Sequence, residues 1–169
     1  MDNNEIVHFL PSEEIFEKAV VIFEEQKAQL EKILPQVDIQ HVGSRAVPGA
    51  IGKFDIDVQI RVTLDQFEDV IEILSKHFTP KHPNLWTETL AIFHNNGEFL
   101  IDIVVTMIGS EKDICYYGVR DVLIKNPELL TRYNSMKIGC EGKTYEEYRN
   151  VKQKFLIEEI LEKYIFNQT

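Results

Sequence analysis

The chain has 169 residues, of which 44% are hydrophobic and 27% are charged, so it is long enough to bury about two-thirds of the surface that its unfolded form exposes. Its 18 Lys and Arg against 28 Asp and Glu give a formal net charge of −10, which argues against non-specific nucleic-acid binding, since that depends on cationic side chains neutralising phosphates. No apolar run approaches the ~20 residues that cross a bilayer, and no secretory signal pattern is present. The two cysteines lack C-x-x-C spacing. We therefore expect a single cytoplasmic domain over residues 1–169 with two free thiols.

The N-terminal part of the chain predicts a helix, a short strand and a turn. Apolar residues recur at helical spacing across residues 16–34. Residues 38–42 are short and β-like, and the segment 43–49 is rich in turn-forming residues.

The clearest strand covers residues 54–62. Five apolar residues alternate with four polar ones, so one face of the strand is apolar and the other wholly polar. The polar residues are Asp55, Asp57, Gln59 and Arg61. Thr63 and Asp65 can then cap a helix that runs to about residue 77.

The next segment predicts a hairpin. Residues 90–94 and 99–107 have strand patterns, and Asn95-Asn96-Gly97 between them favours a tight turn because Asn-Gly accommodates positive φ. Residues 81–86, ahead of the hairpin, are expected to form a loop.

From residue 110 onward the pattern is helical. Asn126-Pro127 places a capping residue before a proline at a first helical position, and Thr144 with Glu147 forms a capping-box pattern. The last helix has an apolar side formed by Tyr148, Val151, Phe155, Ile160, Leu161 and Tyr164. The predicted fold is α/β or α+β: a mixed β-sheet flanked by helices over about residues 12–108, followed by a helical C-terminal third over about 110–166.

Asp55 and Asp57 are candidate metal ligands. Two residues apart on a strand, their side chains leave the same face about 6.6 Å apart at the backbone. Like charges at this spacing repel unless a cation lies between them, and Mg²⁺ prefers such oxygen ligands. The alternative is that both belong to the solvated face of an amphipathic strand.

Asp102 lies within the apolar run 99–105, where an ionised carboxylate is costly unless it is paired or bound to a metal. The alternative is an aspartate at a strand end, or one paired with Arg or Lys. Together with Asp55 and Asp57 it becomes a candidate third ligand of one metal site.

Gly43-Ser44 follows the first predicted strand. A Gly-Ser turn lets backbone N–H groups and a hydroxyl approach a phosphate closely, although Gly-Ser is also a common turn. In order, the chain thus shows a strand, this turn, the Asp55-x-Asp57 strand and the Asp102 strand. This order resembles the signature of the DNA polymerase β-like nucleotidyltransferase superfamily, whose second and third elements are similar to Asp55–Val58 and Ile101–Ile103.

A closer resemblance is to the GrpB family within that superfamily. His41–Gly49 is similar to that family's H-V-G-S-T-A-V-P-G stretch, with Arg45 in place of Thr. The C-terminal residues 120–133 are similar to its R-D-x-L…h-P-E-L…Y segment. Many family members keep only the second aspartate of the pair and carry a histidine where Asp102 stands, so this chain is nearer the superfamily signature.

The resemblance implies a metal-dependent transfer of a nucleoside monophosphate from an NTP to an acceptor, with Mg²⁺, or Mn²⁺, as the cofactor. Asp55, Asp57 and Asp102 would be the catalytic and metal-binding residues. The nucleotide-binding residues would be Gly43, Ser44, Arg45, Lys53 and Arg61. We expect a small-molecule acceptor rather than nucleic acid, given the acidic charge.

Several alternatives stay open from the sequence. Arg61 is expected either to contact a triphosphate or to neutralise Asp55 or Asp57. Arg120, Lys137 and Arg149 are possible phosphate or acceptor contacts. The whole domain could instead be a nucleotide-binding or protein-interaction module without chemistry, or could modify a partner protein or RNA.

Overall fold

The computed structural model describes residues 3–12, 15–95, 97 and 99–166. The named strands all lie before residue 108, and helices follow from residue 111. The elements are α1 (Phe16–Ile33), β1 (Asp38–Val42), β2 (Asp55–Val62), α2 (Leu64–Ser75), β3 (Thr79–Pro80), β4 (Leu90–His94), β5 (Leu100–Met107), α3 (Glu111–Lys125), α4 (Pro127–Ile138), α5 (Tyr145–Phe155) and a π-helical C-terminal segment (Leu156–Phe166), with short 3₁₀ turns at Ser44–Ala46 and Pro83–Leu85.

The strands form one mixed sheet in the order β1-β2-β5-β4-β3. β2 and β5 pair in parallel, whereas the other neighbours pair antiparallel. A parallel pair cannot be joined by a tight turn, and α2 with the β3–β4 ribbon provides the connection. The architecture is the mixed sheet flanked by helices that the sequence predicts.

One face of the sheet packs against α1 and α2 to form the main core. Ile56, Val58 and Ile60 of β2 are at most 1% exposed, so the alternation predicted for this strand is confirmed. Leu30 of α1 and Leu74 of α2 are fully buried against them. The polar residues of β2 consequently face the opposite side of the sheet, where the C-terminal helices lie.

Asp113, in the first turn of α3, anchors this helix to the polar face of the sheet. Its carboxylate accepts hydrogen bonds from Gln59 (3.0 Å), from Arg61 (2.6 and 2.9 Å) and from Thr106 (3.2 Å). The backbone N–H of Gly109 donates a further bond of 2.9 Å. Because Asp113, Gln59 and Thr106 are fully buried, this network replaces the water that these polar groups lose on folding.

The predicted helix starts agree with the structure. At α2 the hydroxyl of Thr63 donates to Asp65 (2.6 Å) and its backbone N–H donates to the side chain of Gln66 (3.0 Å), whereas Thr144 and Glu147 form a reciprocal capping box at α5. α4 begins at Pro127, whose missing N–H costs nothing at a first helical position. The side chain of Asn126 does not cap α4, because it donates back to the carbonyl of Val122 at the end of α3 (2.7 Å).

Some local predictions differ from the structure in detail. β4 and β5 pair as an antiparallel hairpin, but Asn96 of the predicted turn lies outside the described residues. The expected loop over residues 81–86 contains a 3₁₀ turn and follows the edge strand β3, too short to be visible as a pattern. On the predicted apolar side of the last helix, Val151 is 39% exposed and Tyr164 is 36% exposed. Beyond Leu156 the segment is π-helical, and its i→i+5 bonds shift the side-chain period away from 3.6.

Both cysteines are free thiols. Across the described residues, no helix combines the length and the apolar character needed to pass through a membrane.

We predict that Asp113→Ala destabilises the fold by about 3 kcal/mol, because it removes the main partner of the half-buried Arg61 guanidinium and a partner of the buried Gln59 and Thr106. Burial by itself raises the pKa of Asp113, but hydrogen bonds from Arg61 and Gly109 outweigh it and hold the pKa below its usual range. The carboxylate therefore stabilises the fold above about pH 4, and this contribution is lost as the pH falls further. Urea unfolding at pH 7 and at pH 3 measures both effects.

The exposed Asp69→Ala on α2 is the matched control and should change the unfolding free energy by less than about 0.5 kcal/mol. Equal stability of the two variants at pH 7 would show that the Asp113 network does not anchor α3.

Candidate nucleotide and metal site

The parallel pairing of β2 and β5 brings the three aspartates together. Asp57 and Asp102 are direct partners in the register, and Asp55 lies two residues before Asp57 on the same face. Burial raises the pKa of Asp57 to about 7, with the negative charges of Asp55 and Asp102 contributing in the same direction. The carboxylates thus act on one another electrostatically.

Two of the three carboxylates are already paired with lysines. The Lys53 ammonium lies 3.0 Å from an Asp55 oxygen, and the Lys81 ammonium lies 2.5 Å from Oδ2 of Asp102. Within the part of the chain that the structure describes, no group of three or more His, Cys, Asp or Glu side chains is arranged to hold a metal ion as it stands. The pairing of Asp102 with a lysine matches one of the alternatives weighed from the sequence.

The donor set nevertheless fits a hard divalent cation. All three groups offer carboxylate oxygens, the ligands that Mg²⁺ prefers. Oδ1 of Asp102 is buried and has no hydrogen-bond partner among the described residues. No described residue forms a hydrogen bond or salt bridge with the Asp57 carboxylate either, so a cation would satisfy both groups.

Gly43 brings the glycine turn against Asp57. Its φ is +73°, in the left-handed region, and a Cβ atom built there would lie 2.0 Å from Oδ2 of Asp57. Any other residue would therefore collide with the carboxylate as well as strain the backbone. The turn and the aspartate strand, which the sequence could only place in order, are in direct contact.

Ser44 lies beside a buried lysine that the sequence marked only as a possible contact. Lys137 is fully buried and donates to Oγ of Ser44 (2.5 Å) and to the carbonyl of Ile51 (2.6 Å). Its ammonium lies 4.3 Å from the ring centre of Tyr133, whose hydroxyl is 3.3 Å from Oγ of Ser44. Burial lowers the pKa of Lys137 to about 8.

A cleft of about 590 Å³ opens over the turn and over Asp57, the only member of the aspartate triad in its lining. Helices α3, α4 and α5 and the C-terminal segment supply its walls. The neighbouring Tyr133 and Tyr148 raise the pKa of Lys152, so this cleft-lining ammonium stays charged. The cleft is lined by Gly43, Ser44, Asp57, Glu111, Lys112, Cys115, Tyr116, Val119, Leu123, Tyr133, Arg149, Lys152, Gln153, Leu156, Ile157 and Leu161.

Arg61 does not lie with the aspartate triad. Its guanidinium binds Asp113 and Asp38 (2.9 Å), so the expectation that it neutralises Asp55 or Asp57 is wrong. The physical reason is register: four residues beyond Asp57 on an extended strand, Arg61 is carried towards α3. Its proposed contact with a nucleotide has no support from this placement.

Arg45 is buried beneath the turn rather than displayed in the cleft. It is 1% exposed, and its guanidinium donates to the carbonyls of Lys53 (2.7 Å) and Gly52. Arg45 therefore holds the segment that leads into β2, and Lys53 reaches Asp55 from that segment. Its predicted nucleotide contact stays a prediction.

The sequence also marked Arg120 and Arg149 as possible phosphate or acceptor contacts, and the structure places them differently. Arg120 donates to the carbonyl of His41 (2.9 Å) and to Gln40 (3.0 Å), which ties α3 to β1. Arg149 lines the cleft. Lys152 and Tyr133 also line it. Tyr133 ends the C-terminal family segment but had no assigned role, and no motif pointed to Lys152, because both reach the turn only through the packing of α4 and α5.

We predict that Asp57→Asn stabilises the protein above pH 7, by about 2 kcal/mol after allowance for the carboxylate's access to the cleft. The pKa of Asp57 is about 7 in the fold and about 4 when unfolded, so wild-type stability falls as the pH rises between these values. The advantage of Asp57→Asn should therefore shrink from pH 8 towards pH 4. Urea unfolding across this range tests it, with Asp69→Asn as the control; a constant or reversed difference contradicts the prediction.

Comparison with known proteins gives the family and the fold. A profile of the family described as GrpB protein matches residues 16–163, and a UPF0157 protein of Vibrio cholerae serotype O1 is 34% identical over 136 residues, which cover 80% of this chain and 72% of that protein. The crystal structure of the conserved protein GrpB from Enterococcus faecalis aligns with a TM-score of 0.67 at 16% identity, over 89% of this chain and 98% of that one.

The structure of Cid1 in complex with its short product ApU aligns with a TM-score of 0.50 at 16% identity, over 73% of this chain but only 39% of Cid1. At such low identity the structural likenesses show the fold alone, which is nucleotidyltransferase-like. The profile match over most of the chain and the 34% identity show that this protein belongs to the GrpB family.

Proposed function

We propose that the protein is a divalent-metal-dependent nucleotidyltransferase that transfers a nucleoside monophosphate from an NTP to a small acceptor. The observation that carries this proposal is the contact between the glycine turn and the aspartate strand. The missing side chain of Gly43 lets the turn pack onto Asp57, so an anion-binding backbone and a cation-binding carboxylate meet at the floor of one cleft.

The phosphate end of the nucleotide would lie at Ser44. The Gly43–Ser44 backbone can offer N–H groups, while Lys137 supplies positive charge beside the hydroxyl and Lys152 supplies it from the cleft lining. Binding a phosphate would replace the Lys137–Ser44 contact with stronger charge-assisted hydrogen bonds. Lys137 and Lys152 thus take the role that the sequence assigned in part to Arg61.

Asp55, Asp57 and Asp102 would hold Mg²⁺ or Mn²⁺, which when bound neutralises the triphosphate and stabilises the attacking and leaving oxygens of an in-line displacement. In the transfer, the acceptor oxygen bonds to the α-phosphorus, the bond from this phosphorus to the bridging oxygen breaks, and pyrophosphate leaves. The acceptor's proton passes to a carboxylate. We assign this role to Asp102, as the resemblance implies, while its buried and unpartnered Oδ1 is the oxygen that would face the cation.

A small acceptor suits the dimensions and charge of the cleft. Its volume of about 590 Å³ lies in the ordinary range of small-molecule pockets, and the net charge of −10 disfavours a polyanion. Cid1 is described as having RNA terminal uridylyl transferase activity, but this chain covers only 38% of it in that alignment. Most of Cid1 has no counterpart in the chain, so we do not carry RNA over as the acceptor.

The second candidate is a nucleotide-binding module without chemistry. The lysine pairs on Asp55 and Asp102 favour it, because they neutralise two of the three carboxylates without any metal. This candidate uses the same cleft and the same phosphate contacts. It differs from the first only in the absence of turnover.

We predict that wild-type protein releases pyrophosphate from at least one of the four NTPs when given Mg²⁺ and a small-molecule cell extract as the source of acceptor. Asp57→Ala should lose this activity by at least about a hundredfold, because the carboxylate that lines the cleft is removed. Asp69→Ala, on the exposed side of α2, is the matched control and should keep full activity. Unchanged release by Asp57→Ala would remove the proposal.

Thermal shift with NTP, with and without Mg²⁺, separates the two candidates. A stabilising shift without pyrophosphate release favours the non-catalytic module, whereas the absence of any shift contradicts both.

We also predict that Lys137→Met weakens NTP binding by about tenfold or more, since hydrogen bonds to charged groups contribute about 1.5–3 kcal/mol. Binding of the matching nucleoside should change little, because the lost ammonium faces Ser44 rather than a base site. Isothermal titration with both ligands gives the comparison, and the exposed Lys125→Met controls for the lost charge. An equal loss for nucleoside and NTP would place Lys137 outside the phosphate site.

A further inference from the structure

Lys81 and Lys53 approach the aspartate triad from two separate segments. Lys81 follows the edge strand β3, and Lys53 precedes β2. The side chains in both pairs are between 15% and 22% exposed, so these are half-buried contacts rather than flexible surface pairs. Partial burial strengthens the attraction between each ammonium and its carboxylate compared with a pair in water.

Hydrogen bonds at the backbone N–H and at the backbone carbonyl fix the position of Lys81. Its N–H donates to the carbonyl of Ile92 (2.8 Å), and its carbonyl accepts from the indole N–H of Trp86 (3.0 Å). The following residue, His82, has a φ of 48° in the left-handed region, which non-glycine residues rarely adopt. Trp86 in turn packs on the buried ring of Phe93. The chain is therefore held so that the lysine reaches Asp102 without a mobile loop.

Lys53 is held in a similar way. Its carbonyl accepts a 2.7 Å hydrogen bond from the buried Arg45, and its ammonium lies 4.9 Å from the ring centre of Tyr145.

The charges of the triad are then unequally compensated. The two lysines neutralise Asp55 and Asp102, while the Asp57 carboxylate and Oδ1 of Asp102 have no hydrogen-bond or salt-bridge partner within the described residues. A divalent cation that uses all three carboxylates would bring its own charge beside two fixed ammonium groups. Cation and lysine therefore compete for the negative charge of the same carboxylates, Asp55 and Asp102.

We propose that Lys81, and with it Lys53, is a resident counter-ion of the site that a divalent cation must displace, which keeps metal affinity low in the free protein. This inference rests on the proposed function, because it takes the triad as the metal site. It adds a positioning role for two lysines: they hold the carboxylates apart until a cation, accompanied by the phosphates that offset its charge, replaces them. In the metal-bound form the released ammonium groups are available to the same anionic ligand.

Direct titration of the free protein with Mn²⁺, followed by electron paramagnetic resonance, tests the proposal without any turnover. Lys81→Met should bind Mn²⁺ about tenfold more tightly than wild type, a factor at the low end of the coupling between close charge pairs. Lys53→Met should shift the affinity in the same direction, and Lys81→Arg, which keeps the charge, should stay near wild type. Lys76→Met removes an equal charge from the exposed Lys76–Glu72 pair and should have no effect.

Asp57→Asn identifies the Mn²⁺ binding that belongs to the triad, because weak Mn²⁺ binding elsewhere on this acidic protein persists in the variant. A Lys81→Met affinity equal to or weaker than that of Lys76→Met overturns the lysine proposal and leaves the proposed function standing. If no variant and no wild-type protein shows Mn²⁺ binding that Asp57→Asn abolishes, both the metal site and the lysine proposal fail. Thermal unfolding of each variant confirms that the comparison is made between folded proteins.

Discussion

The arrangement of the whole molecule depends on the parallel pairing of β2 with β5. This register places Asp57 beside Asp102 and Arg61 beside Thr106, so the polar side chains of two central strands share one face. A polar face in the middle of a sheet is unstable unless it is hydrated, paired or used. The C-terminal helices cover part of that face and leave the rest open as a cleft.

The two ends of the polar face of β2 and β5 differ in how their charges are compensated. At one end, Asp113 of α3 accepts hydrogen bonds from Gln59, Arg61 and Thr106, which satisfy the donors of this part of the face. At the other end the aspartate triad has an excess of negative charge, which two lysines offset only in part. The first end stabilises the fold, and the second end carries an electrostatic cost that makes sense if a ligand relieves it.

The phosphate side of the cleft shows how the helical third completes a site that begins in the sheet. Lys137 lies on α4, 93 residues after Ser44, and is fully buried beside it. A buried ammonium is costly unless it has partners, and here it has the serine hydroxyl, a backbone carbonyl and an aromatic ring. The helices are thus part of the site rather than an appended docking surface.

The sequence by itself determined the mixed sheet, the helical C-terminal third, the family and the face on which the aspartates lie, because alternation, capping residues and a nine-residue motif are local signals. The sequence could not predict which charged side chains form ion pairs. Asp102 could be paired or metal-bound, Arg61 could contact a triphosphate or neutralise Asp55 or Asp57, and Lys137 had no motif, since each outcome depends on register and helix packing between distant segments. Only the tertiary structure shows that Arg61 belongs to Asp113, that lysines neutralise two of the aspartates, and that Gly43 is needed because Asp57 fills the space a side chain would take.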